Sequence, residues 1–262
     1  MIYRNRIYKG FNDKDALYDV YLTDTDSDQM FVFVHGYMGY KDWGVWNLMA
    51  NEIYKKGHSI AKLNLTHNGT TIDKPNEFSD LNSFGNGGYY KELMDVNLFL
   101  NHLKSEYKAS TFNLIGHSRG GGIVLIAGQS SSVKEIHCLA PISSIAKRFP
   151  EGEELTKWKE DGVYYRKNGR TGQLLPHNYS QYEEFLEHID ELNIETICPK
   201  LNKSVFVYHG ENDTSVLPIE GKNIATWTDG EFNLIKDTAH TFDAVEPWDN
   251  VELPLVMIEI EV

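Results

Sequence analysis

The sequence predicts an α/β fold, with a mostly parallel sheet, an antiparallel N-terminal hairpin, helices on both faces and one long inserted segment. Three observations predict it. Strand-like and helix-like segments alternate up to residue 139 and again from residue 205, as in parallel sheets whose strands are joined by helices. The run at 30–34 is apolar throughout, which is typical of a strand buried on both faces. The chain of 262 residues is long enough for one large domain, and we expect residues 1–262 to form a single one.

The predicted elements follow from side-chain periodicity and from turn residues. Residues 2–8 and 16–22 alternate apolar and polar side chains around the turn-rich segment 10–13, which predicts the hairpin. Apolar residues spaced three or four apart predict helices at 46–56 and 90–107. The remaining predicted elements, in chain order, are strand 60–65, strand 111–115, helix 119–127, strand 133–139, strand 205–208, helix 219–226 and strand 232–235.

The alternation stops at residues 143–199, where the sequence predicts no strand and only one helix, at 179–188, with turn-prone residues at 168–172. A segment this long inside a compact domain is usually functional, so we expect it to form a cap over a site. Aromatic side chains of the segment, Trp158 and Tyr164 in particular, would then line a pocket for a hydrophobic or aryl group. The alternative is that these rings only pack beneath the cap.

The composition argues against several classes of partner. The formal net charge is −13, from 25 Lys and Arg against 38 Asp and Glu, and such a surface repels nucleic acids and anionic membranes. We therefore expect neither as a partner. An anionic substrate is expected only if a local basic pocket overrides the overall field. The sequence leaves the oligomeric state open and is compatible with a homodimer.

The N-terminus has no apolar signal region, and no apolar run approaches the ~18 residues of a membrane span. A cytoplasmic protein is therefore the expectation. Two cysteines, Cys138 and Cys198, lie far apart without a C-x-x-C pattern, which predicts two buried free thiols. The histidines, cysteines and carboxylates show no metal-site spacing, so we expect neither a metal nor another cofactor.

The strongest functional signal is the pentapeptide Gly-His-Ser-Arg-Gly at 116–120, a G-x-S-x-G pattern. About 0.1 such matches are expected by chance in a chain of this composition, so the context decides. The pattern follows predicted strand 111–115 and begins predicted helix 119–127. In this strand–turn–helix setting the serine is exposed, and the two glycines let strand and helix approach closely. The helix N-terminus also favours developing negative charge. We therefore predict Ser118 as a nucleophile.

A serine hydroxyl needs an imidazole to accept its proton and a carboxylate to orient that imidazole. After a G-x-S-x-G turn of this kind, the partners follow along the chain as Asp or Glu and then His. Of the ten histidines only His240 lies beyond the expected acid, so it is the predicted base. Asp213, just past predicted strand 205–208, is the first choice for the acid, with Glu211 and Asp237 as rivals.

The oxyanion of a tetrahedral intermediate needs two backbone donors. We expect one to be the N–H of Arg119, directly after the nucleophile. The other is expected to be the N–H of Tyr37, which the preceding glycine would turn inward. His35 and His209 occupy equivalent positions at strand ends and are expected to bond loop backbone. The side chain of His117 is expected to point away from the substrate side.

The blocks at 33–37, 116–120, 209–213 and 239–242 together resemble the α/β-hydrolase superfamily, in the right order and over nearly the whole chain. The run His-Gly-x-x-Gly-x-Lys-Asp-Trp at 35–43 and the final His-Thr-Phe look like the group near dienelactone hydrolases, cinnamoyl or feruloyl esterases and prolyl-oligopeptidase-like hydrolases. The inserted segment resembles the cap that shapes the acyl pocket of cinnamoyl esterases. The resemblance implies the α/β-hydrolase fold, with Ser118, Asp213 and His240 as the triad and Tyr37 and Arg119 as oxyanion donors.

The chain departs from the family pattern at its end. Members usually close with an amphipathic helix after the histidine, whereas residues 251–262 are rich in β-branched side chains. A short helix that starts near Pro254 is the expectation, because proline is tolerated in a first turn.

These residues together predict a serine hydrolase that cleaves small-molecule carboxylic esters through an acyl-enzyme intermediate, with aryl or hydrophobic acyl esters as candidate substrates. The same triad would serve a peptidase or amidase, a thioesterase or an acyltransferase. An interpretation of a different class is a non-catalytic binding protein that kept the fold, because a fold alone does not establish a function.

Overall fold

We describe the protein from a computed structural model, which covers residues 1–24 and 28–254. The strands within those residues are β1 (Ile2–Lys9), β2 (Asp15–Tyr21), β3 (Gln29–Val34), β4 (Ser59–Leu63), β5 (Thr111–His117), β6 (Val133–Leu139), β7 (Val163–Lys167), β8 (Leu174–Asn178), β9 (Ser204–Gly210) and β10 (Glu231–Ile235). The α-helices are α1 (Trp46–Lys55), α2 (Leu81–Gly85), α3 (Tyr89–Tyr107), α4 (Arg119–Ala127), α5 (Gly152–Asp161), α6 (Ser180–Glu187), α7 (Ile194–Ile197) and α8 (Pro218–Thr228).

Eight strands form one sheet in the order β1-β2-β4-β3-β5-β6-β9-β10. β1 and β2 are antiparallel to each other, and β2 is antiparallel to β4. All other neighbours in this sheet are parallel. The predicted mostly parallel sheet with an antiparallel N-terminal hairpin is therefore confirmed. Parallel neighbours end at the same edge of a sheet, so the loops after β3, β5, β9 and β10 meet there, where α/β sheets bind ligands.

Helices cover both faces of this sheet, as predicted. Side chains alternate along β3, so that Val32 and Val34 belong to the apolar cluster that also contains side chains of α3, α4 and α8. Phe31 and Phe33 belong to a second cluster, which contains the side chains of α1. The ring centroids of Phe33 and Trp46, the first residue of α1, lie 4.7 Å apart. Burying a side chain of this size contributes roughly 1.5–3 kcal/mol. The two layers together hold β3, and hence the loop that follows it, in place.

The segment 143–199 contains more structure than the sequence predicts. Besides helices, it contains the antiparallel hairpin β7–β8, so the prediction of no strand there is wrong. β7 is largely exposed and lacks an apolar alternation, and Pro176 in β8 argues against a strand. Pro176 is tolerated because each strand of a two-stranded sheet has one unpaired edge. The turn-prone residues 168–172 connect the two strands.

A buried group of charges anchors the loop after β3. Lys62 of β4 donates to Asp19 of β2 at 2.8 Å and to the carbonyl oxygen of Lys41 at 3.0 Å. Lys41 in turn lies 2.9 Å from Asp19 and 2.5 Å from Asp42. Burial by itself would raise the pKa of Asp19, but the two lysines outweigh it and hold that pKa below its usual value. The loop that contains Tyr37 is thus fixed to the sheet by paired charges.

Cys138 and Cys198 are both buried and free, as the sequence predicts. Residues 251–254 form a bend and an irregular stretch. The short helix expected to start near Pro254 would lie at 255–262, outside the described residues. None of the helices assigned in residues 1–24 and 28–254 combines the length and apolarity that a bilayer crossing requires.

Candidate active site

Ser118 occupies the sharp turn between β5 and α4. Its φ of 55° and ψ of −116° lie in a region that residues other than glycine rarely adopt. Backbone hydrogen bonds hold it there, because its N–H donates to the Leu139 carbonyl at 2.8 Å. Its own carbonyl accepts from the N–H groups of Gly122 and Ile142 at 3.3 and 3.2 Å. The side chain borders two cavities at the carboxyl edge of the sheet.

Glycines permit this turn because the neighbouring backbone lies very close. A Cβ on Gly116 would lie 2.4 Å from the Gly120 carbonyl oxygen, and one on Gly120 would lie 2.4 Å from the Val34 carbonyl oxygen. Both contacts are with backbone, which cannot move aside without displacing α4 or β3. In the loop after β3, a Cβ on Gly36 would lie 3.0 Å from the Cβ of Ser118. That loop therefore lies directly beside the serine.

Replacing Gly116 with alanine is expected to lower the free energy of unfolding by roughly 1–3 kcal/mol or more, because the added methyl overlaps the Gly120 carbonyl. Urea unfolding of variant and wild type measures the difference. Gly169→Ala is the matched control, since no heavy atom of the described residues lies within 4 Å of a Cβ there. That control should stay within about 0.5 kcal/mol of wild type. Equal stability of the two variants would contradict the close approach at the turn.

Ser118, His240 and Asp213 lie in one chain of hydrogen bonds. His240 Nε2 lies 2.9 Å from Ser118 Oγ, and His240 Nδ1 lies 2.7 Å from Asp213 Oδ2. Both distances are within the range for a nucleophile, a base and an orienting acid. The fold brings the three together because they follow β5, β10 and β9, which all end at one edge of the sheet.

The predicted rivals of Asp213 have other contacts. Glu211 is exposed, and its carboxylate accepts from the backbone N–H of Asp237 at 3.3 Å. Among the hydrogen bonds of the described residues, His240 Nδ1 is partnered by Asp213 and by neither rival. Of the three predicted acids, the structure thus brings only Asp213 to the imidazole.

The carboxylate of Asp213 is buried and fully partnered. Oδ1 accepts from the N–H groups of Ser215 and Val216 at 2.9 and 3.0 Å, while Oδ2 faces His240 and, at 3.2 Å, Nε2 of His209. Burial would raise the pKa of Asp213, but the hydrogen bonds from His209, His240 and Val216 outweigh it and lower that pKa below its usual value. The carboxylate therefore stays ionised at neutral pH.

His209 contributes more than the sequence predicts. Its Nε2–H donates to the Val216 carbonyl at 2.8 Å, which is the expected bond to loop backbone. The same nitrogen also faces the Asp213 carboxylate, and the side chain is fully buried. His209, at the end of β9, thus contacts the loop that carries the acid at both Asp213 and Val216. The spacing of four residues between His209 and Asp213 is the only sequence signal that could have indicated this contact.

The predicted oxyanion donors flank Ser118. Arg119 is the first residue of α4, so its N–H has no acceptor within the helix. Tyr37 follows Gly36, the residue that lies against the serine, and both Tyr37 and Arg119 line the same cavity as Ser118. His35 Nδ1 lies 2.9 Å from the Gly36 carbonyl and holds the turn. Donation by these two amides to an oxyanion remains a prediction.

His117 departs from its expected orientation. Its ring lies 5.0 Å from the His240 ring and lines a cavity that Ser118 also borders, so the expectation that it points away from the substrate side is wrong. Burial, assisted by His240, lowers the pKa of His117 to about 3. The neutral ring donates through Nε2 to the His240 carbonyl at 3.0 Å. The residues of the turn do not by themselves indicate this orientation, because it depends on the loop after β10. That loop lies at the same edge of the sheet as the turn.

Two cavities flank Ser118 and His240. The smaller has a volume of about 340 Å³ and extends towards the segment 143–199. The larger, of about 480 Å³, is bordered by the aromatic rings of Trp43 and Trp46. There is therefore space on two sides of Ser118, and the residues that border the two cavities differ in character.

The two predicted pocket residues of the inserted segment differ. Tyr164 lines the smaller cavity, with its ring stacked on His177 at 4.8 Å. Trp158 is buried and borders neither cavity, and its Nε1–H donates to the His177 carbonyl at 2.8 Å. It therefore supports the pocket wall from behind. Sequence reasoning did not single out His177, because no motif surrounds it.

His177 joins the inserted segment to the loop after β3. The hydroxyl of Tyr37 donates to His177 Nε2 at 2.8 Å, and His177 Nδ1 donates to Gln181 Oε1 at 3.2 Å. Gln181 Nε2 in turn donates to the carbonyls of Phe84 and Gly85. Burial lowers the pKa of His177 to about 4, so the ring is neutral at physiological pH. The Tyr37 side chain is thus held across the cavity.

Comparison with known proteins defines the family. A family model described as the alpha/beta hydrolase fold matches residues 29–177, more than half of the chain. The chain belongs to this family. The hydrolase matches no curated protein sequence. In the part of the chain that the structure describes, no group of three or more His, Cys, Asp or Glu side chains could hold a metal ion.

Solved structures of the same fold resemble the hydrolase at low sequence identity. Est1E from Butyrivibrio proteoclasticus has a TM-score of 0.71 at 14% identity, over 92% of both chains. A putative hydrolase from Agrobacterium vitis S4 has the same TM-score and coverage at 15% identity. Alpha/beta hydrolase domain-containing protein 10 from mouse has a TM-score of 0.68 at 16% identity, over 90% of both chains. At these identities the likeness concerns the fold.

Proposed function

We propose that the protein is a serine hydrolase that cleaves carboxylic esters through an acyl-enzyme intermediate. The observation that carries the proposal is the hydrogen-bonded chain from Ser118 Oγ through His240 to a buried, ionised Asp213. A buried carboxylate of this kind fixes the tautomer of the imidazole, so that Nε2 is free to accept the serine proton.

The proposed reaction has two steps. Ser118 Oγ attacks the ester carbonyl while His240 Nε2 takes its proton, and the amides of Tyr37 and Arg119 stabilise the oxyanion. His240 then protonates the departing alcohol, which leaves an ester between Ser118 and the acyl group. Water, deprotonated by His240, repeats the sequence and releases the acid. His209 is a positioning residue in this scheme, because it holds Asp213 against the imidazole.

An ester with an aromatic or other apolar group suits the larger cavity. Trp43, Trp46 and Met38 border it, and these side chains favour apolar or aryl ligands. Est1E, one of the similar structures, has been determined with ferulic acid bound. This supports an aryl ester as the first substrate to test.

Active-site labelling tests the proposal directly. A fluorophosphonate probe is expected to form an adduct on the peptide that contains Ser118, as read by mass spectrometry, and the wild-type protein is expected to hydrolyse 4-nitrophenyl esters. Matched ester and anilide substrates separate the ester reaction from a peptidase or amidase reaction. The alcohol of an ester leaves readily, whereas the amine of an anilide leaves only if the enzyme lowers a higher barrier. Absence of both adduct and turnover would favour a binding protein that kept the fold.

A further inference from the structure

Three arginines line the smaller cavity beside Ser118. They are Arg119 at the start of α4, Arg148 in the connection after β6, and Arg166 in β7. Among the described residues, no aspartate or glutamate borders this cavity. In a chain whose net charge is −13, a cavity wall of one positive sign runs against the overall field and creates a local site for anions.

Two of the arginines have carboxylate partners behind the cavity wall. Arg119 Nε donates to Glu92 at 2.8 Å, and Arg148 lies 2.5 Å from Glu220. Arg166 has no carboxylate within ion-pair distance among the described residues, and its guanidinium lies 5.5 Å from the Tyr164 ring centre. The cavity therefore has one more positive charge than its partners neutralise.

The other polar groups of this cavity leave that charge unopposed. His177 is neutral, because its pKa is about 4, and Gln181 and Tyr37 are uncharged donors and acceptors. The larger cavity differs, since both Arg170 and Glu246 border it. The excess of positive charge in the cavity wall is thus found on one side of Ser118.

We propose that the ester cleaved at Ser118 carries a carboxylate, which binds in the smaller cavity against Arg166 with Arg148 and Arg119 nearby. The inference rests on the proposed esterase function and adds the substrate class. Arginine suits this role because its planar guanidinium pairs with a carboxylate through two parallel hydrogen bonds. The substrate would be a half-ester of a dicarboxylic acid or an ester of a hydroxy acid, with its uncharged group in the larger cavity.

Two series of matched substrates test the proposal. In the acyl series, the mono-4-nitrophenyl ester of adipic acid is compared with the neutral diester in which its free carboxylate is methylated and the 4-nitrophenyl ester is kept. In the alcohol series, 4-acetoxybenzoate is compared with its methyl ester. Each kcat/KM is divided by the rate of uncatalysed hydrolysis, so that intrinsic reactivity cancels. The carboxylate member is expected to be favoured roughly tenfold in one series, the size of a charge-assisted hydrogen bond, and less at high salt.

Arg166 variants locate the preference. The ratio that is measured is the normalised kcat/KM of the carboxylate member divided by that of the neutral member. Because Arg166 is exposed, Arg166→Gln is expected to lower this ratio about two- to fivefold, and Arg166→Glu should lower it further. Lys167→Gln is the matched control, since Lys167 is the next residue of β7, is also exposed and borders neither cavity. It removes the same charge and should keep the wild-type ratio.

The outcomes separate this inference from the esterase proposal. Hydrolysis of the neutral esters that depends on Ser118, without carboxylate preference in either series, would overturn the substrate class and leave the esterase proposal standing. An equal drop in the ratio for Lys167→Gln would also overturn it, because the preference would then reflect net charge. No Ser118-dependent hydrolysis of any member would instead overturn the esterase proposal itself.

Discussion

Replacing Ser118 with alanine is expected to lower kcat/KM for a 4-nitrophenyl ester by about 10⁴-fold or more. The reason is that alanine lacks Oγ, the proposed nucleophilic atom, which lies 2.9 Å from His240 Nε2. Residual activity would come from the oxyanion amides and from substrate binding, which remain. Steady-state hydrolysis, followed by 4-nitrophenolate absorbance, measures the loss. Circular dichroism spectra of variant and wild type should coincide.

Ser131→Ala provides the control for this experiment. Ser131 is exposed in the turn between α4 and β6, at the opposite edge of the sheet from Ser118. Its kcat/KM should equal that of wild type. If Ser118→Ala kept wild-type hydrolysis, the proposed nucleophile would be wrong, whatever the stability of the variant.

Asp213→Asn is expected to lower kcat by about 10³–10⁴-fold, although the side chain keeps its size. The fold itself predicts how the amide would lie. Ser215 and Val216 both donate to Oδ1, so the amide oxygen would occupy that position and the NH₂ group would face His240 Nδ1. A donor there forces Nδ1 to act as an acceptor, which leaves the proton on Nε2. Nε2 could then no longer accept the proton of Ser118.

Glu211→Gln and Asp237→Asn are the controls for the acid, because both residues are charged, exposed and within the loops of the same edge. Each should keep kcat within about twofold of wild type, as expected for surface substitutions that break no network. A loss in either control as large as that in Asp213→Asn would show that the acid has been wrongly assigned. Kinetics at several pH values above 5 should show the same ranking, because the pKa of Asp213 lies below its usual value.

The order and type of most elements could be predicted because they depend on local patterns. The apolar run of β3, the glycine-flanked serine and the alternation of strands with helices are all readable within short windows of sequence. Chain order then reduced ten histidines to His240. The turn between β5 and α4 is predictable for the same reason, since only glycines at positions 116 and 120 avoid contacts of 2.4 Å with neighbouring backbone.

The inserted segment was harder to predict because its structure depends on distant partners. In the β7–β8 hairpin, β7 is largely exposed and β8 contains a proline, so neither periodicity nor propensity indicates the hairpin. His177 is positioned by Tyr37, from which it is separated by 140 residues. The aromatic side chain of Trp158 is of the kind that lines pockets, yet packing places it behind the wall of the smaller cavity. The positions of these residues depend on contacts between distant segments of the chain. A short window of sequence does not contain that information.

The sequence by itself determined the sheet, the turn that carries Ser118 and the candidate partners of that serine, because those features need particular residues at fixed spacings. Only the tertiary structure decided the character of the cavity beside it. Arg119, Arg148 and Arg166 are far apart in the chain and belong to three different elements, and the overall charge has the opposite sign. Their convergence follows from the folding of the inserted segment over the carboxyl edge of the sheet, where burial of its rings and pairing of its strands position β7.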